Sequence, residues 1–153
     1  MTWAAFYGLA ALFVALLSRT GPRRNVRFFS LMLLLYWSIS NVIDLRLSLS
    51  DTVEVSALMD AIGMSVALHA CFQRFRWWTA ALTFCFGCEL ITHIAIMFLP
   101  ESRGSLYQYK LILNLLFVGE LSSVATPTAA FHLRHVRARL AQRQRQRQRT
   151  VVV

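Results

Sequence analysis

Glu89 and His93 stand four residues apart inside residues 77–98, a stretch with no other charged side chain. That spacing puts both on one helix face, and Cys85 falls one turn earlier on the same stripe. A carboxyl and an imidazole so placed can share a proton, relay one near neutral pH, or supply half of a metal site. An ionised acid at mid-bilayer costs roughly 3 kcal/mol, so Glu89 needs a partner, a proton or water. A hydrogen bond between His93 and Glu89 is the simplest expectation. A metal site joined by Cys85 or His69 lacks a second ligand pair at matching spacing, and no metal or cofactor is expected.

Cys85 and Cys88 form a C-x-x-C, the spacing of membrane thiol oxidoreductases. Near mid-membrane, thiolate formation is disfavoured, and the third cysteine, Cys71, offers no partner pair. Two small packing residues are the plainer reading.

Polar groups interrupt the other apolar runs as well: Asn41, Asp60, Asn114 and Glu120. With Glu89 and His93 they predict a polar seam shared between helices. Such a seam is a proton or ion path, the wall of an oligomeric pore, or packing glue worth roughly 0.6 kcal/mol per contact. Ser56, Asp60 and Gly63 follow a helical spacing and make a narrow polar stripe. Asp44, Asp51 and Glu54 are expected near headgroups.

Helices must hold these groups. The chain has 153 residues, 57% hydrophobic and 15% charged, with mean hydropathy +0.52. Soluble domains average about 45–50% apolar and about 25% charged, so both departures point to lipid as the solvent. Apolar runs predict an all-α membrane bundle of about five helices, at residues 3–18, 26–43, 52–72, 77–98 and 111–133. Trp3 and Tyr7 suit an interface, Gly21 and Pro22 break the first connection, and Pro100 ends the fourth run. Residues 52–72 are the weakest span, but their stripe is narrow and acidic, which favours crossing over lying flat. Residues 101–110 read as a polar loop, with Tyr107 and Tyr109 at its exit. Gly119 and Ser123 form a small-xxx-small pair for close helix approach, and Pro127 should kink the last helix or free a carbonyl.

Charge sets the orientation. The formal charge is +9, and seven of the sixteen basic residues follow Leu133. These are Arg134, Arg137, Arg139, Arg143, Arg145, Arg147 and Arg149, in a cytoplasmic tail at residues 134–153. Four more, Arg19, Arg23, Arg24 and Arg27, follow the first helix. Five crossings with the N-terminus outside put every arginine-rich, acid-free segment inside, in keeping with the positive-inside rule. Four crossings would split them.

Three functions fit. The first is a self-associating pore or permeability path, as in phage holins. The second is a non-enzymatic adaptor whose basic tail docks a partner. The third is a small ion- or proton-coupled carrier or thiol enzyme. No enzyme motif is present, so catalysis is not expected. Expected partners are anionic lipid headgroups and either further copies or another membrane protein. The tail lacks the aromatic interleaving of a nucleic-acid module. Short, arginine-biased loops and an uncleaved first helix suggest a bacterial or phage-encoded inner-membrane protein.

Overall fold

The computed structural model describes residues 2–20, 24–46, 49–99 and 103–151. Gly21, Pro22, Ser48, Pro100, Glu101 and the side chains of Trp3, Asp44, Arg143, Arg145, Arg147 and Arg149 lie outside the described residues. Every regular element is a helix: α1 (Thr2–Arg19), α2 (Arg24–Arg46), α3 (Leu49–Gln73), α4 (Trp77–Met97) and α5 (Arg103–Val151). Four of them, α2 to α5, are long and apolar enough to cross a membrane, while α1 has a shorter apolar segment.

One boundary differs from expectation. Residues 103–110 form no loop but the first turns of α5. Leu, Gln, Lys and Arg in this segment are good helix formers, and Gly104 sits in the first turn, where its flexibility costs little. Burial of Tyr109 holds the turn in place. At its other end α5 stays helical through Pro127 and the Gln-Arg alternation. Its 49 residues rise about 74 Å, more than twice a hydrocarbon core of about 30 Å, so the helix must project well beyond the bundle.

Contacts fix the up-and-down order. Ser18 on α1 meets Ser30 on α2, Phe29 on α2 meets Trp78 on α4, and His132 on α5 lies 3.1 Å from the Leu17 carbonyl on α1. These contacts bring one end of every helix but α3 together, and the tight α3–α4 connection adds the end of α3. Arg19, Arg24, Arg27, Arg74, Arg76 and the start of the α5 extension therefore gather at one end of the bundle, called here the basic end. Toward the other end, Tyr7 on α1 packs edge-on against Phe117 on α5.

Polarity is arranged inside out. Leu35 is 61% exposed, Phe84 70% and Ile91 67%, whereas Asp60 and Glu120 are 0% exposed. Water would reward the reverse, and lipid suits this arrangement.

Small residues let the helices close. A Cβ on Gly63 of α3 would come 2.9 Å from the buried ring of Phe86 on α4, and one on Gly119 of α5 would come 3.0 Å from Cys85 Sγ. Gly119 of the small pair thus packs against α4 of the same chain. Gly63→Val should destabilise the bundle by about 1–3 kcal/mol through overpacking, read as earlier unfolding in mixed micelles. Gly63→Ala should cost less, because a gain in helix propensity of up to about 1 kcal/mol offsets the clash.

Candidate functional site

Six side chains from four helices converge in the interior. Asp60 of α3 is the hub. Tyr36 of α2 donates its hydroxyl to Asp60 Oδ1. His93 Nε2 of α4 lies 2.9 Å from Asp60 Oδ2 at ion-pair distance. Among the described residues Oδ2 has no other partner. Beyond the ring, the Tyr109 hydroxyl of α5 is 2.6 Å from His93 Nδ1, with the two rings edge to face. A neutral imidazole that accepts from Tyr109 carries its proton on Nε2, toward Asp60. An imidazolium reverses the bond, and the phenol oxygen accepts.

Two further acids complete the group. Glu89, one helical turn from His93, is buried beside Asp60. Glu120 of α5 stands within electrostatic reach of both Glu89 and Asp60. Both Glu120 oxygens and Glu89 Oε2 have no hydrogen-bond partner among the described residues. Three sequestered carboxyl groups therefore face one imidazole. Fully ionised, they would leave two uncompensated negative charges in a medium that solvates none.

His93 thus turns to Asp60 on the neighbouring helix, not to Glu89 on its own. The α3–α4 hairpin places Asp60 opposite His93, and tertiary pairing overrides the i, i+4 option. Of the seam expected from sequence, Asp60, Glu89, His93 and Glu120 come together, and Asn41 and Asn114 do not. Asn41 is half-buried and donates Nδ2 to the Trp37 carbonyl of its own helix at 2.7 Å. Asn114 faces outward, with no partner for its amide among the described residues. Asn114→Leu should leave unfolding in mixed micelles within about 0.5 kcal/mol of wild type, because no intramolecular bond is lost.

The remaining expectations place as follows. Cys85 is buried against Gly119, Cys88 is half-buried, and all three cysteines are free thiols. Ser123 donates to the Gly119 carbonyl at 2.8 Å. His69 lies at the basic end and pairs with Gln73, away from the acids. Among the described residues, no three of His, Cys, Asp and Glu converge closely enough to hold a metal ion. Arg134, Arg137 and Arg139 are exposed on the α5 extension.

Sequence reasoning missed Tyr36 and Tyr109. A tyrosine within an apolar run brings a hydroxyl that must find a partner, and that was the available signal for Tyr36. Tyr109 was hidden by its assignment to a loop. No family model, no curated protein and no solved structure matches this chain.

Proposed function

We propose that this chain is a small integral membrane protein that takes up and returns protons at the carboxyl group formed by Asp60, Glu89 and Glu120. The observation that carries the proposal is the pair of unpartnered oxygens on Glu120, wholly enclosed beside two more acids. Such a site nears neutrality by holding protons, and the Tyr109–His93–Asp60 relay gives them a route in and out. The chemistry is proton exchange with no covalent change in a substrate, which makes the reading a non-enzymatic one. Five crossings with the N-terminus outside and the basic end in the cytoplasm of a bacterial or phage-bearing cell complete the reading. It is supported by the collection of arginines at one end of the bundle.

A holin-like pore would line a shared axis with these same acids, and their enclosure by α2 to α5 of one chain favours the proton reading over it. A docking role for the tail is the second reading, favoured by the projection of α5 past the bundle as an exposed basic helix. Tail and core can serve one protein.

Proton counting tests the proposal. In lipid nanodiscs, titration from alkaline to acidic pH should show the wild type binding at least about one proton per chain more than Glu89→Gln/Glu120→Gln. Superimposed titration curves would reject proton exchange at the cluster.

A further inference from the structure

We infer that the cluster loads its protons only from the end of the bundle opposite the basic residues. The inference rests on the proton-handling reading and adds the direction of access.

Polar side chains run from that end to the middle. Thr52, Ser56 and Asp60 follow one another at one-turn spacing on α3, all buried. Tyr109, on the second turn of α5, meets His93 on the last turns of α4, and His93 meets Asp60. Tyr36 and Glu89 join at Asp60, and Glu120 lies deepest, eleven residues or about 16 Å along α5 from Tyr109. Among the described residues, the titratable groups facing the acids are therefore Tyr36 from α2 and Cys85 and His93 from α4, with Tyr109 of α5 behind His93. The α1 phenol, Tyr7, packs on Phe117 instead.

Toward the basic end the character changes within one turn. Leu33 of α2, Ala67 of α3, Leu82 of α4 and Val124 of α5 are each 0% exposed and form one apolar layer. Phe29 and Val26 thicken it, and Trp78 closes on Phe29. Beyond lie four buried hydroxyls, Ser18, Ser30, Thr79 and Thr128. Thr79 and Thr128 donate to the Arg76 and Val124 carbonyls, while Ser18 and Ser30 pair with one another and also lie against the Ala15 and Arg27 carbonyls. These hydroxyls bond to backbone or to each other, on the far side of the layer from the acids. An apolar layer without titratable groups blocks proton transfer.

The test uses tight vesicles in which trypsin reports orientation, since it cuts the arginine-rich extension of α5 only where the basic end faces out. Vesicles with the extension protected should bind protons from acidified external buffer as fully as nanodiscs do. Vesicles with the extension cleavable should bind none through the cluster until a protonophore acidifies the lumen. A second variant, Val124→Asp, puts a titratable group in the seal and should remove the difference between the orientations. Equal uptake by the wild type in both orientations, or uptake only where the basic end faces out, would overturn the inference. Absent cluster-dependent uptake in nanodiscs, where both faces meet the buffer, would instead overturn the proton reading itself.

Discussion

His93→Phe should destabilise the bundle by about 3–5 kcal/mol, the range for a buried ionic pair deprived of one partner. The substitution fills the imidazole volume with a ring, so little cavity is made. What it removes is the only basic side chain against Asp60 among the described residues, and Asp60 is itself 0% exposed. It also removes the hydrogen bond between the Tyr109 hydroxyl and the imidazole. Coupling can be separated from simple loss of packing by adding Asp60→Leu. Removing both charges should return most of the lost stability, because an apolar pair of similar size replaces an ionic one. Unfolding in mixed micelles of the two single variants and the double variant measures this cycle. Additive losses would mean that His93 and Asp60 do not depend on one another.

Glu120→Met should act in the opposite sense. Both carboxyl oxygens of Glu120 lack a hydrogen-bond partner, and the side chain is fully buried. Methionine keeps much of the length and flexibility of the side chain and removes a group that is costly to enclose. A gain of about 1–3 kcal/mol is expected, together with loss of the proton uptake that depends on this residue. A substitution that stabilises the protein and silences it marks a residue retained for activity at the expense of stability. If Glu120→Met destabilised the fold by a similar amount, the carboxyl would have to be serving as structural glue.

Much of this architecture is written in local pattern. Apolar runs mark out the helices, because lipid leaves the backbone no other way to satisfy its hydrogen bonds. The acids were conspicuous for the same reason: Asp60, Glu89 and Glu120 interrupt runs that are otherwise apolar. Partner choice was not legible. His93 faces both Glu89 on its own helix and Asp60 across the hairpin, and only the register of α3 against α4 decides between them. Register was also out of reach for Asn114, whose helix rotation turns it outward while Glu120, six residues on, turns inward. Tyr109 escaped because residues 101–110 read as a polar loop, whereas α5 begins at Arg103 and its second turn carries Tyr109 to His93. Gly119 shows the same limit. Its small-xxx-small spacing announced close approach but not the partner, which is Cys85 of the same chain.

Infrared difference spectroscopy of the protein in lipid nanodiscs bears most directly on whether these enclosed acids exchange protons. On acidification, the wild type should gain a carbonyl-stretch band of a protonated carboxylic acid in a dry environment. That band should shrink in Glu120→Gln and vanish in Glu89→Gln/Glu120→Gln. A wild-type spectrum with no such change, or one that both variants reproduce in full, would contradict the account.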